Sequence, residues 1–366
     1  MTYNNPFKPT AGAEPPRIIG RDAIVMAFEQ GLKEGVGSPA RLMRISGPRG
    51  SGKTVLLGDL GEKALEIGWT VIDLTAGPYM MEDLRCGLED VPANVTFQAG
   101  INVGIASVNA TAETPAKSLR QLMTSKAHSV QGLLITIDEV QDADFEDMRR
   151  IAQIVQHLIR EKANVALIFA GLPIGIMDLI NGKALTFLRR AKSEELGAIS
   201  TIEIALSMAD SFAATGLELS GDIQAEAARA TGGYAFLIQL VGYYVWQRAN
   251  THRATSSKVS ERDLAEGIAI AQEQFHQLVH ETAIADISRG AMEYLIAMSE
   301  DNRVSATGEI AKRMGKDART AGVYRQQLIQ RQVIQPAARG YVEFAVPYLG
   351  DYIAQNKDEL MLRYGG

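Results

Sequence analysis

Gly47-Pro48-Arg49-Gly50-Ser51-Gly52-Lys53-Thr54 is the stretch that decides the fold. It has the G-x-x-x-x-G-K-S/T spacing of a phosphate-binding loop, in which glycines at 47, 50 and 52 let the backbone turn tightly and aim several N–H groups inward. Lys53 then brings a mobile charge to the β- and γ-phosphates, and the Thr54 hydroxyl is placed to hold Mg2+. The flanks fit the motif. Leu42-Met43-Arg44-Ile45-Ser46 reads as a buried strand feeding the loop, and Thr54 to Leu60 as the start of the helix leaving it. The implied ligand is a nucleoside triphosphate.

Downstream, Trp69 to Leu74 reads as a strand and Leu133 to Glu139 as a second, fully buried one. Strands alternating with helical patterns imply an α/β domain, a mostly parallel sheet sandwiched by helices. Asp138-Glu139 closes the buried strand at its carboxyl edge, the crevice in which open α/β sheets bind ligands. As a Walker B pair, Asp138 would orient Mg2+ and Glu139 would polarise the attacking water. The alternative is an acidic helix cap, because Asp142, Asp144, Glu146 and Asp147 follow at once. The phosphate loop upstream favours the catalytic reading.

A chain of 366 residues accommodates two or three domains. With 22% charged and 46% hydrophobic residues it has a globular composition rather than a disordered one. Its one cysteine, Cys86, cannot form an internal disulfide, and no cysteine cluster offers a metal site, which suits a reducing cytoplasm. Residues 1–16 form a polar, proline-bearing tail without the apolar core of a signal peptide. The longest apolar stretch, Val165 to Ile180, is broken by Gly171, Pro173, Gly175 and Asp178, so no membrane span is expected. The net charge of −6 hides a local reversal. From Arg303 to Arg339 eight basic side chains face only Glu309 and Asp317, a window of +6 of the kind that places a nucleic-acid surface on one domain.

The order of phosphate loop, Asp-Glu strand end and helical region resembles AAA+ P-loop ATPases, in particular the origin-recognition and archaeal-initiator clade and its prokaryotic relatives. Arg17-Ile18-Ile19-Gly20-Arg21-Asp22 resembles the entry segment of that family, which implies that Gly20 and Arg21 line the adenine pocket. Asn164 to Pro173 resembles the sensor strand, which in the family often ends in a polar residue at the γ-phosphate; here Ala170 and Gly171 stand in that place. Leu185 to Ala191 lies where the family carries its arginine finger, implying that Arg189 or Arg190 could reach a neighbouring subunit's nucleotide. Two cations at a helix end, interacting with its dipole, are the equal alternative.

Thr201 to Leu206 reads as the last sheet strand. Helical patterns over Ile223–Ala230, Phe236–Ala249 and Ser260–Thr282, the last with a Ser260 to Asp263 capping box, would form the family's all-α lid. Arg229 to Phe236 resembles its second sensor region, with no sensing residue assigned. His276 and His280 share a helix face but lack a third ligand, so they read as a packed or solvated pair rather than a zinc site.

Helical patterns over Ser288–Ser299, Val304–Gly315 and Ala318–Arg331 precede two short extended runs, Val333-Ile334 and Tyr341 to Val346, around a turn near Ala338 to Gly340. This is the plan of a winged helix. Arg319, Thr320, Tyr324 and Arg325 are the candidate groove contacts to double-stranded DNA, with Arg339 on the wing, although such domains also bind proteins. Val95 to Val108 alternates with period two and carries no basic residue, as expected of an edge element or a protruding hairpin.

The expected domains are therefore a tail (1–16), an α/β nucleotide-binding domain (17–206), a lid (207–285) and a winged helix (286–366). The resemblance implies a cytoplasmic ATPase switch that uses ATP and Mg2+, releases ADP, and acts on DNA, alone, as a homo-oligomer or with a partner protein. A regulatory signalling NTPase whose terminal domain binds protein, and a transposition-helper ATPase, are the alternatives.

Overall fold

The computed structural model describes residues 4–10, 13, 15, 18–89, 97–98, 117–129, 131–181 and 187–364. Two compact units divide the chain, Gly20–Gly47 with Ser51–Gly197, and Met1–Ile19 with Pro48–Gly50 and Ala198–Gly366.

The first unit is the α/β domain. Its strands are β1 (Leu42–Ser46), β2 (Thr70–Thr75), β3 (Phe97–Gln98), β4 (Leu133–Asp138), β5 (Val165–Gly171) and β6 (Lys192–Glu195). They form one sheet in the order β3-β2-β4-β5-β1-β6, with every pairing parallel. Parallel strands need covering on both faces, and the side chains alternate accordingly. Leu134, Ala166, Ile168 and Ala170 join the core under α1 (Asp22–Glu34) and α2 (Lys53–Glu66). Leu133, Ile135, Ile137, Leu167 and Phe169 join the opposite core, beneath α3 (Met80–Glu89), α4 (Leu119–Ser129), α5 (Phe145–Arg160) and α6 (Pro173–Asn181). The period-two run at 95–108 lies outside the described residues except for Phe97–Gln98, which pair with β2 at the sheet edge.

One strand assignment is corrected. Thr201 to Leu206 is no strand but the opening of helix α7 (Thr201–Ala214), and the last sheet strand is β6. The alternating Ile202, Ile204 and Leu206 suggested a strand, but only Ile204 is buried, with Met208 and Phe212 at helical spacing. Ile202 and Leu206 are 73% and 59% exposed.

The second unit continues with α8 (Gly221–Ala230), α9 (Ala235–Asn250) and α10 (Glu261–Phe275). The Ser260 and Asp263 capping box at the start of α10 is formed. After α10 a single π-helical turn, His276–His280, leads into α11 (Glu281–Ile284). Next come α12 (Arg289–Met298), β7 (Val304–Ala306), α13 (Thr307–Arg313), α14 (Ala318–Gln330), the hairpin β8 (Ile334–Ala338) and β9 (Tyr341–Phe344), α15 (Leu349–Gln355) and α16 (Lys357–Arg363). The three strands form an antiparallel sheet in the order β7-β9-β8, so Val304 to Ala306, expected as helix, is its first strand.

Residues 207–285 and 286–366 lie in one compact unit with a continuous core running from Ile204 through Phe275 and Tyr294 to Leu360. Within the expected tail, Asn5 and Phe7 are anchored. Phe7 is 3% exposed, stands 5.5 Å from Phe212 ring to ring, and occupies the space that a Cβ on Gly242 would enter. Asn5 Nδ2 donates to the Tyr243 carbonyl, which ties the same segment to α9.

Candidate functional site

The loop between β1 and α2 has the shape its glycines predict. Gly52 takes the left-handed conformation (φ +89°) just before the helix, and a Cβ on Gly47 would lie 2.6 Å from Ser51 Oγ. Lys53 is 5% exposed and its ammonium donates to the Gly47 carbonyl at 3.1 Å. The Ser51 hydroxyl is buried with no hydrogen-bond partner among the described residues. Leaving such a group unpaired costs about 1–3 kcal/mol, and a phosphate oxygen would satisfy it. Pro48–Gly50 belong with the helical unit, in which the Tyr234 hydroxyl donates to the Arg49 carbonyl and the Phe236 N–H to the Gly50 carbonyl.

The carboxyl end of β4 supplies the acidic pair. The Thr54 hydroxyl donates to Asp138 Oδ2 at 2.5 Å, while Asp138 Oδ1 accepts the Glu139 N–H at 2.8 Å. A hydroxyl and a carboxylate brought together with no nitrogen or sulfur donor form an oxygen set suited to Mg2+, so Thr54 and Asp138 would hold the ion when it binds with nucleotide. Bound there, the ion would neutralise charge on the phosphate oxygens.

Glu139 sits with φ 53° and ψ 41°, a left-handed conformation that costs a non-glycine residue about 1–3 kcal/mol. Residues held this way cluster at functional sites, because the surrounding structure must fix them. The acidic-cap alternative is realised separately, since Asp144 caps α5 by accepting the Glu146 and Asp147 N–H groups at 2.8 and 3.1 Å. Nothing in the sequence pattern singles out Gln141, yet its Nε2 donates to the Glu139 carboxylate and its Oε1 accepts the Leu172 N–H at 3.1 Å.

β5 ends in Ala170 and Gly171, as expected, with no polar side chain of its own at its tip. Arg21 donates to the Gly197 carbonyl at 2.8 Å, beside Gly20 at φ +68°. Arg189 takes the helix-end role, because its Nε and Nη2 donate to the Ile180 and Asn181 carbonyls at the end of α6, at 2.8 and 3.3 Å. Arg189 and Arg190 are both exposed, and Arg190 has no such carbonyl contact among the hydrogen bonds of the described residues.

In the second unit the five groove candidates separate. Arg319 and Arg339 are exposed, Arg339 in the β8–β9 turn. Thr320 is part of the α14 cap, its hydroxyl donating to Asp317 at 2.9 Å. Tyr324 is withdrawn from the outer face by packing on α12. A Cβ on Gly290 would come within 2.4 Å of its hydroxyl, and the Lys316 ammonium stands 5.5 Å from its ring centre. Arg325 is half-buried, and its Nε is inaccessible to solvent.

The basic window is also partly neutralised. Arg313 pairs with Asp301 at 2.7 Å and with Glu300, and Lys316 pairs with Glu293 at 3.3 Å, using acids just outside the window. Across 286–366 eleven basic side chains face ten acidic ones, so the reversal of charge belongs to a window and not to the whole terminal region.

His276 and His280 are packed. Their Nδ1 atoms lie 2.7 Å apart, and His280 Nε2 is 2.7 Å from the Pro347 carbonyl. That carbonyl can only accept, so His280 carries its proton on Nε2 and His276 donates to His280 Nδ1. Burial pushes the His280 imidazole down to about 4. Among the described residues no group of three or more His, Cys, Asp or Glu could hold a metal ion, and no helix is long and apolar enough to cross a membrane.

Residues 29–171 match the family model described as AAA domain, and residues 277–353 one described as a domain of unknown function (DUF8462). A comparison with curated proteins finds no match to the sequence. Among solved structures, the Walker-type ATPase paby2304 of Pyrococcus abyssi is similar over 94% of this chain and 98% of its own, at 13% identity and a TM-score of 0.67. The Aeropyrum pernix ORC2 protein, in its ADPNP-ADP complexes, is similar over 97% of each chain at 13% identity and a TM-score of 0.62. Cdc6p of Pyrobaculum aerophilum is similar over 97% of each chain, at 13% identity and a TM-score of 0.52. The shared property is the fold, an AAA domain followed by a mainly helical carboxyl-terminal region.

Proposed function

We propose that this chain, which carries an AAA domain within the fold of the archaeal ORC and Cdc6 proteins, is an ATP-hydrolysing molecular switch. The observation that carries the proposal is the convergence of Thr54, Asp138 and Glu139 beside the phosphate loop. Lys53, Ser51 and the loop amides bind the triphosphate, Thr54 and Asp138 hold Mg2+, and Glu139 accepts a proton from the attacking water. Gly20 and Arg21 contribute to the base pocket, and Arg189 or Arg190 serves a neighbouring copy. The test is ATP turnover by the full chain. Glu139→Gln retains nucleotide binding and loses turnover, whereas an unaltered rate in that variant would remove Glu139 as the base.

The output of the switch is duplex DNA. The three-helix arrangement with its β8–β9 hairpin supports reading residues 286–366 as a winged helix, with Arg319 on the helix and Arg339 on the wing directed to DNA phosphates. Salt-dependent binding of duplex DNA, weakened in the Arg319→Ala, Arg339→Ala double variant, is the expected result. No affinity at low salt would sink it. That outcome would favour a signalling switch with a protein-binding terminal domain, a reading favoured by the near balance of charge over 286–366 and by exposed Val323 and Tyr341.

A further inference from the structure

Gln141 stands between Glu139 and the exit of β5. The Glu139 carboxylate can only accept and the Leu172 N–H can only donate, so one orientation of the amide serves both, Nε2 toward the acid and Oε1 toward the N–H. The other acid within reach, Asp142, lies at 3.4 Å from Nε2, which makes Glu139 the principal acceptor.

The neighbouring backbone is shaped to admit this side chain. A Cβ on Gly171 would lie 2.8 Å from Gln141 Oε1, and one on Gly175 would lie 2.3 Å from Gln141 Cβ. Side chains are thus absent from the end of β5 and the first turn of α6 just where Gln141 packs. Ala170 and Gly171 offer no polar side chain at the tip of β5, and the Gln141 amide bonds to the N–H of Leu172, the next residue.

We infer that Gln141 is a positioning residue for hydrolysis, fixing the Glu139 carboxylate against the end of β5 and so setting the direction from which the base meets its water. The inference rests on Glu139 being that base. A glutamate has three rotatable bonds, and a misplacement of about 1 Å in a reacting group costs up to roughly a hundredfold in rate. The amide holds one end of the base while its other end is anchored to the sheet.

The test compares steady-state turnover and Mg2+-ATP affinity in the full chain and in Gln141→Ala, Gln141→Glu and Glu139→Gln. Gln141→Ala keeps the Cβ against Gly175 and removes the amide with its Cγ methylene. Gln141→Glu still accepts the Leu172 N–H, but it cannot donate to Glu139 and repels it. The expected result is a kcat roughly tenfold or more lower in Gln141→Ala, and at least as low in Gln141→Glu, with ATP affinity within about twofold of the parent. Near-parental turnover in Gln141→Glu would reveal a residue that merely anchors β5, and would overturn the inference. So would unchanged turnover in Gln141→Ala, or affinity falling in step with turnover. Turnover lost in Glu139→Gln but intact in both Gln141 variants removes the positioning role alone. Turnover intact in Glu139→Gln removes the base, and the positioning role with it.

Discussion

The Thr54 hydroxyl and the Asp138 carboxylate, 84 residues apart in the chain, meet at 2.5 Å. Neither sequence neighbourhood needs the other for its own secondary structure. Thr54 lies in the first turn of α2 and Asp138 at the end of β4, two strands from β1 in the sheet. The contact exists because a parallel sheet delivers its strand ends to one edge.

On the proposed function, this pair makes ATP affinity depend on Mg2+. Chelation of the ion should weaken binding by roughly tenfold, about 1.4 kcal/mol, in the parent chain. In Thr54→Ala and Asp138→Ala the difference with and without Mg2+ should disappear. Calorimetric titration in magnesium and in EDTA measures it.

Glu139 holds a left-handed backbone at the place where the proposed function puts the base. Asparagine tolerates the left-handed conformation better than glutamate, so Glu139→Asn should be neutral or stabilising by up to about 1 kcal/mol while turnover is lost. Chemical denaturation read beside the hydrolysis rate tests both halves.

His280 sets a pH limit on stability. Its imidazole titrates at about 4 in the folded chain against 6.5 for the free side chain, so below pH 6.5 the unfolded state takes up a proton that the native state refuses. Stability therefore falls as pH drops from 6.5 toward 4, by about 2 kcal/mol at pH 5. Urea unfolding at pH 7.5 and pH 5 should show that loss, and His280→Asn should remove most of the difference.

The helical face of α7 can be tested by pairing two substitutions. Phe212, fully buried, should cost about 3–5 kcal/mol when truncated to alanine. Ile202→Asp on the exposed face should change stability by no more than about 0.5 kcal/mol. Thermal melts of the two variants separate a helix from the strand that the alternation of Ile202, Ile204 and Leu206 suggests.

Where a residue's local structure follows from local chemistry, it is legible in the sequence. The phosphate loop, β1, the buried run of β4 with its acidic end, and the Ser260 capping box each depend on a spacing a few residues long. What escaped was settled by distant partners. Phe7 is core only because α9 has a glycine at 242 to receive it, and composition alone marked the segment as tail. Tyr324 looked like a groove contact from its place on α14, until Gly290 on α12 is seen to admit its ring. Gln141 has no motif, since its significance lies in touching Glu139 and Leu172 together. The +6 window lost much of its force because Glu293, Glu300 and Asp301 fold back onto it.

Titration of the purified full chain with ATP and Mg2+ by calorimetry, beside Lys53→Ala, tests the central claim most directly. Saturable binding of one nucleotide per chain, abolished when the Lys53 ammonium is removed, is the predicted result. An absence of binding by the parent chain, or equal binding by Lys53→Ala, would contradict it.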